Sequence, residues 1–292
     1  MKIAIFGATG LLGSNLINLY KSIGFDVKGF SRSFSNNIYV IDFDNIENEL
    51  KTAFIHWKPD VIINTVALVN LQKCEDNFDL ANYSNNLIAQ KLARFSKNYN
   101  SYYIHISTDH FFNDNLEKHK ESDNILLLNN YAKTKYLAES SVLDIYPKAL
   151  VVRTNIIGFR NSNVDSFFEW LLKSLFEKEK INLFDNFCSS PISVNQLGLI
   201  LIQVFKHKLN GIYNISSSEV ISKYDFGIKV ANKFNLSTKN ISKVKLEDKN
   251  SSIKRALTLG LDIAKIEQSL NIKMPLVDEI INQLHKEYYE SK

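Results

Sequence analysis

Seven residues constrain this chain more than any others: Gly7-Ala8-Thr9-Gly10-Leu11-Leu12-Gly13, set directly after the apolar run Ile3-Ala4-Ile5-Phe6. The apolar run, the glycines and the helical pattern that follows (Leu11, Leu12, Leu16, Ile17, Tyr20) predict a strand, a tight turn and the opening of a helix. Gly7 permits the turn, Gly10 lets phosphates approach the backbone, and Gly13 lets helix and strand pack closely. The helix N-terminus then offers free N–H groups and partial positive charge, which suit the pyrophosphate of a dinucleotide. Thr9, Leu11 and Leu12 complete this candidate cofactor turn. A glycine triplet is weak evidence alone, and the G-x-x-G-x-x-G spacing is one residue longer than the commoner form. The strand before it and the helix after it supply the context the motif requires.

The same alternation continues along the chain. Strand candidates are Lys2–Phe6, Asp26–Phe30, Ile38–Ile41, Val61–Asn64, Tyr102–Ser107, Ala149–Arg153 and Gly211–Ile215. Helical patterns lie at Leu11–Ile23, Ile46–Trp57, Leu80–Asn98, Tyr131–Ile145 and Asn195–Lys206. Short apolar strands alternating with longer helices predict an α/β fold with a Rossmann-type, doubly wound parallel sheet covered on both faces. The stretch Asn155–Pro191 departs from this alternation, and the tail from Ile221 is helical and lysine-rich. These segments predict a smaller, discontinuous substrate lobe over 155–194 and 217–292, beside a nucleotide-binding domain over 1–154 and 195–216. The lobe is expected to close a cleft on the cofactor.

Composition excludes several classes of function. The formal charge of +4 comes from scattered lysines with no dense basic block, so nucleic-acid binding is not expected. No apolar run approaches the ~20 residues that span a bilayer, and the apolar start is interrupted at Gly7 as a buried strand would be. Cys74 and Cys188 form no C-x-x-C pair, which points to a reducing, cytoplasmic setting. His56, His105, His110, His119, His207 and His285 fall singly, without metal-ligand spacing, and read as surface or packed residues.

In a doubly wound sheet the ligand sits outside the carboxyl ends of the strands. After the second strand come Ser31 and Arg32, where an NAD site places an acidic residue for the ribose 2′-OH. A guanidinium and a hydroxyl instead suit a 2′-phosphate, so NADPH is the expected cofactor, with NADH left open. Asp42 and Phe43 follow the third strand, beside the adenine. Thr65, Val66 and Ala67 follow the fourth, beside the phosphates and the nicotinamide ribose.

The fifth strand ends in Ser107-Thr108-Asp109, and a helix begins near Tyr131-Ala132-Lys133-Thr134-Lys135. Tyr131 and Lys135 are four apart and share one helix face. A tyrosine titrates near ~10 when free, and a neighbouring ammonium favours its phenolate. Tyr131 can then protonate a carbonyl oxygen as hydride reaches the carbon. Lys135 can also bond the nicotinamide ribose, and Thr108 can orient the substrate oxygen.

This ordered set resembles the extended short-chain dehydrogenase/reductases and, within them, the dTDP-4-dehydrorhamnose reductase family, almost end to end. Ser107-Thr108-Asp109, Tyr131 and Lys135 match the family's strand end and catalytic pair. Asp60–Asn64 with Ala67, Lys73-Cys74-Glu75, Asn85, Arg153-Thr154, Ser190-Pro191, Gly211–Ile215, Arg255 and Leu261-Asp262 with Lys265 match its further landmarks. The resemblance implies NADPH-dependent reduction of a 4-keto sugar nucleotide in deoxysugar and polysaccharide synthesis, with Thr108, Tyr131 and Lys135 as catalytic residues. It adds Asn85 to the cofactor contacts. The expected substrate contacts are Ser107, Thr108, Asp109, Arg153, Asn155 and Arg255, with His110 either a further contact at the mouth of the site or a packed residue, and with Arg153, Arg160, Lys254 and Arg255 as the basic candidates for gripping a diphosphate. A homodimer follows from the resemblance only. The chain departs from the family at His110-Phe111-Phe112, Ala132, Val66, Leu68, Asn214 and Ala256, which alters the pocket more than the chemistry. Two alternatives stand beside this reading: an epimerase or dehydratase holding NAD tightly, and a non-catalytic NADP-binding regulatory subunit.

Overall fold

The computed structural model describes residues 1–112, 116–160, 164–248 and 253–290. In chain order the elements begin β1 (Lys2–Phe6), α1 (Leu11–Ser22), β2 (Asp26–Ser31), β3 (Ile38–Val40), α2 (Ile46–Phe54), β4 (Val61–Asn64), α3 (Leu71–Asp76) and α4 (Phe78–Asn82). A π-helical turn (Tyr83–Leu87) leads into α5 (Ile88–Tyr99), β5 (Tyr102–Ile106), α6 (Asn130–Ile145), β6 (Leu150–Arg153), β7 (Ile156–Ile157) and α7 (Phe167–Phe176). Next come β8 (Ile181–Phe184), β9 (Cys188–Ser189), β10 (Ile192–Ser193), α8 (Val194–His207) and β11 (Gly211–Asn214). The chain continues with β12 (Ile221–Ser222), α9 (Lys223–Lys233), β13 (Ile241–Val244), β14 (Thr258–Leu259), α10 (Ala264–Leu270) and α11 (Val277–Glu290).

Seven strands form the main sheet in the order β11-β6-β5-β4-β1-β2-β3, and the pairings from β3 through β6 are parallel. The order reverses between β1 and β4, the switch point of a doubly wound sheet. Strand alternation divides the core. Ala4, Phe6, Ile62, Tyr103 and Val151 pack with α2, α5 and α6. On the other face α1 meets α8 closely: Tyr20 Oη donates to the Gly198 carbonyl at 3.0 Å. A Cβ on Gly198 would lie 2.6 Å from Leu19.

The chain divides into two compact units. The first holds Met1–Thr108, Asn129–Arg153 and Gly198–Tyr213; the second holds Asp109–Leu128, Thr154–Leu197 and Asn214–Lys292. The second unit has its own core, in which α7, α9 and α11 pack around β8 and β13. The segment Asp109–Leu128, expected in the nucleotide-binding domain, belongs instead to the second unit. The cause is its hydrogen bonding. His119 N–H donates to the Gly260 carbonyl, the Asp262 N–H donates back to His119, and the Asn214 N–H donates to Glu121 Oε1. Gly260 lets this strip approach, because a Cβ there would overlap the Glu117 carbonyl.

Candidate active site

The glycine turn in the first unit has the shape its residues dictate. Gly7 lies at φ +84°, and a Cβ there would sit 2.5 Å from Thr65 Oγ1. A Cβ on Gly13 would overlap the Gly7 carbonyl oxygen. Gly10 N–H donates to that same carbonyl at 2.9 Å and closes the turn. Helix α1 starts at Leu11 with no capping side chain and no acidic residue in its first turn. Its leading N–H groups therefore have no helical partner and favour an anion. Leu12 is buried, so only its backbone can serve there, whereas Thr9 is exposed. Thr65 Oγ1 donates to the Phe6 carbonyl at 2.7 Å, tying the end of β4 to the turn. Val66 and Ala67 are half-buried beside it.

Arg32 is exposed at the end of β2, with no acidic residue at 31 or 33. Three expected cofactor contacts are placed differently. The Ser31 hydroxyl is buried and donates to the Ser33 carbonyl at 2.5 Å, so its proton shapes the turn and is not free for a phosphate. Phe43 is packed in the core under α2, because an apolar ring after β3 is worth more buried than as an exposed platform. Asn85 sits fully buried on the π-helical turn, where it accepts from Leu68 N–H (2.7 Å) and donates to Thr134 Oγ1 (2.9 Å). It braces α6 against the segment after β4. Asp42 is exposed and accepts from Asp44 N–H.

Thr108, Tyr131 and Lys135 all belong to the first unit, at 4%, 9% and 1% exposure. The start of α6 is held from several sides. Asn129 caps it by accepting from Ala132 N–H at 2.9 Å. The Glu75 carboxylate accepts from Asn130 N–H at 2.6 Å, a charge well placed at a helix N-terminus. Tyr131 packs in a small cluster with Cys74 and Ala81. The landmark Lys73-Cys74-Glu75 thus fixes the helix that carries the tyrosine. Lys135 Nζ donates to the Ile106 carbonyl at 2.7 Å and lies 3.3 Å from His105 Nε2. Burial pulls Lys135 down to about 8, against the opposing pull of Glu139. Ser107 Oγ is buried with no hydrogen-bond partner, an orphan that suits a polar ligand. This orphan, the glycine cradle and the open helix N-terminus fit a bound dinucleotide.

Arg153, a candidate for gripping a diphosphate, is placed inside the first unit. It is 1% exposed and forms a bidentate pair with Glu139, with contacts of 2.7 to 3.1 Å between β6 and α6. The two buried opposite charges on adjoining elements satisfy each other, so the pair accounts for Arg153 as a brace between β6 and α6. His105 is packed, fully buried against Lys135, and no periodicity in the sequence marks that contact.

The second unit gathers the remaining candidates. Asp109 is buried and accepts from Asn155 Nδ2 at 2.6 Å, with His110 Nε2 at 3.9 Å. Burial pushes Asp109 above the usual carboxylate range, while His110, Asn155 and Lys223 pull against it. Burial lowers His110, opposed by Asp109 and reinforced by Arg255 and Lys223. Arg255 Nε and Arg160 Nε are buried without a hydrogen-bond partner, and Lys254 is exposed. Lys223, unremarked in the sequence, begins α9 with Nζ 4.7 Å from the Phe167 ring. Cys188 is half-buried and raised by burial, an inert packed thiol. Among the described residues no group of three or more His, Cys, Asp or Glu side chains could hold a metal ion, and no helix is long and apolar enough to cross a membrane.

The family model for the RmlD substrate binding domain matches residues 1–290. The chain belongs to the dTDP-4-dehydrorhamnose reductase family. This is a family of NAD(P)H-dependent oxidoreductases among the extended short-chain dehydrogenase/reductases. The chain is 28% identical to the spore coat polysaccharide biosynthesis protein SpsK of Bacillus subtilis, covering 82% of each chain. It is 26% identical to a dTDP-4-dehydrorhamnose reductase of Aggregatibacter actinomycetemcomitans, covering 93% of this chain and 94% of the relative. It is also 26% identical to the methionine adenosyltransferase 2 subunit beta of Xenopus laevis, covering 90% and 81%. In fold it is similar to the crystal structure of dTDP-4-dehydrorhamnose reductase from Bacillus anthracis in complex with NADP, with TM-score 0.88 and 23% identity over 98% of this chain and 99% of that one.

Proposed function

We propose that this member of the family reduces a 4-keto sugar nucleotide with NADPH, and that Tyr131 is the proton donor. The observation that carries the reading is the Lys135 Nζ bond to the Ile106 carbonyl, which ties α6, with buried Tyr131 one turn before Lys135, to the end of the strand that leads to buried Thr108, in the unit that holds the open glycine turn. Bound NADPH supplies the hydride to the carbonyl carbon. Tyr131 Oη gives its proton to the carbonyl oxygen, and the Lys135 ammonium stabilises the phenolate left behind. Thr108 holds the same oxygen by its hydroxyl. Arg32 takes the 2′-phosphate, and the first N–H groups of α1 take the pyrophosphate. Asp109, His110, Asn155 and Arg255 contact the sugar nucleotide. The reaction belongs to deoxysugar supply for a polysaccharide, in the cytoplasm, where free thiols such as Cys74 and Cys188 persist.

The deciding experiment follows NADPH oxidation with dTDP-4-dehydro-L-rhamnose, with NADH run in parallel. Rapid NADPH loss with dTDP-rhamnose formed supports the reading. A second reading, a non-catalytic regulatory subunit, is favoured by the similarity to methionine adenosyltransferase 2 subunit beta. Tight NADPH binding with no turnover on any keto-sugar nucleotide in a broad panel favours that second reading and overturns the first.

A further inference from the structure

Three buried groups in the first unit lead to Lys135, and the reaction above uses none of them. Val66 N–H donates to Asn64 Oδ1 at 3.0 Å, so the Asn64 amide oxygen faces Val66. Its nitrogen then faces Tyr103 Oη and His105 Nδ1, each at 3.2 Å. An amide nitrogen has only protons to offer, so His105 Nδ1 is the acceptor. A neutral ring carries one proton, which is therefore on Nε2. That Nε2–H is aimed at Lys135 Nζ, 3.3 Å away. The amine form of Lys135 can donate to Ile106 and receive this proton on its lone pair. An ammonium would set N–H against N–H in a site only 1% exposed. Turning the Asn64 amide over to relieve the conflict would leave Val66 N–H without its partner.

We propose that Asn64 and His105 are positioning residues that hold Lys135 toward its neutral amine in the ligand-free protein, by locking the His105 ring as the Nε2–H form. The inference rests on the reading of Lys135 as the lysine of the reductase. Burial, the larger cause, presses His105 well below its ordinary value, so its ring stays neutral whichever form Lys135 takes. The other groups around Lys135 are accounted for. Glu139, one turn further along α6, favours the ammonium, but its carboxylate is held by Arg153 from β6. Tyr131 lies one turn earlier on the same helix. When a new acceptor such as a ribose hydroxyl oxygen joins it, Lys135 takes up a proton from solvent, and it is then the ammonium that the reaction requires beside Tyr131.

The test is nitrogen NMR on the full chain labelled at histidine and lysine, with the His105 signal assigned by its loss in His105→Gln. The expected result is an Nε2–H ring at His105 across neutral pH. In Asn64→Asp the new acceptor oxygen should switch His105 to Nδ1–H and raise the Lys135 titration midpoint by about one pH unit or more. A wild-type ring protonated at Nδ1 overturns the inference, and that measurement stands even if Asn64→Asp fails to fold. So does a raised Lys135 midpoint in Asn64→Asp with the ring still Nε2–H, since bare charge would then explain the rise. Lys135→Met separates this inference from the reading beneath it. Near wild-type turnover in that variant removes Lys135 from the reaction whatever the His105 tautomer. A large loss of turnover with an Nδ1–H ring in the parent keeps Lys135 and discards the relay.

Discussion

The proposed function has Tyr131 and Arg32 meet the two reactants at different points, so their substitutions should fail differently. Tyr131→Phe keeps the ring that packs with Cys74 and Ala81 and removes only the phenolic proton. NADPH affinity should stay nearly intact while turnover falls by about two or more orders of magnitude, read by cofactor fluorescence and steady-state kinetics. Turnover near the parent level would take Tyr131 out of the mechanism. Arg32 is exposed, so Arg32→Ala should leave stability unchanged. It should weaken NADPH about tenfold or more and NADH far less, because a charge-assisted bond to the 2′-phosphate is lost. Equal losses for both cofactors would mean that Arg32 does not read that phosphate. At this scale the sequence was an uneven guide. Residue type and spacing marked Tyr131 and Lys135, whereas Arg153 carried the right chemistry and lies buried against Glu139. Only three-dimensional neighbours decide whether a guanidinium is free. The same blindness hid His105, whose importance comes from sitting 3.3 Å from a lysine thirty positions away in sequence.

Among the elements, α6 carries the tyrosine and lysine and is pinned along its length. Glu75 and Asn129 hold its start, Asn85 reaches Thr134, and Arg153 holds Glu139. Glu139→Gln leaves the Arg153 guanidinium buried without its counter-charge. Breaking one side of such a pair costs about 3–5 kcal/mol. Urea unfolding should register that loss as a lower midpoint with an unchanged slope, and a change under about 1 kcal/mol would refute the assignment. Apolar runs bounded by turn residues placed the seven strands of the main sheet to within a residue or two, because buried parallel strands leave a continuous signal. The stretch predicted as one helix over Leu80–Asn98 is α4, a π-helical turn and α5. A single π turn is too short to show as an element of its own in an apolar pattern read over several turns. Its effect is local and specific: it is where Asn85 is presented to Thr134.

For the molecule as a whole, the buried neutral ring of His105 ties stability to acidity. The folded value lies well below 6.5, whereas the unfolded ring takes a proton near ~6.5. Below that pH the unfolded state binds a proton that the folded state refuses, so stability falls as pH drops through the unfolded value toward the folded one. His105→Gln removes this proton, and its stability should decline less steeply between pH 6.5 and 5, by up to about 1.4 kcal/mol per pH unit. Asp109, whose shift has the opposite sign, is present in both proteins and cancels in the difference. Parallel acid slopes in denaturant titrations of the two proteins would contradict the burial argument. The sequence anticipated a second, discontinuous unit but not its extent. The strip 109–128 has no helix or strand of its own in the pattern, and its allegiance is set by backbone hydrogen bonds to Gly260, Asp262 and Asn214.

The chain passes between its two units at five places, and one of them is the peptide bond that joins Thr108 to Asp109. No single cut in the gene separates one unit from the other. To trade the whole second unit for a relative's would take three separate blocks of sequence, 109–128, 154–197 and 214–292, joined at five seams. On the proposed reading the first of those seams falls beside Thr108, so the exchange would have to be exact at the one place where the chemistry is least tolerant.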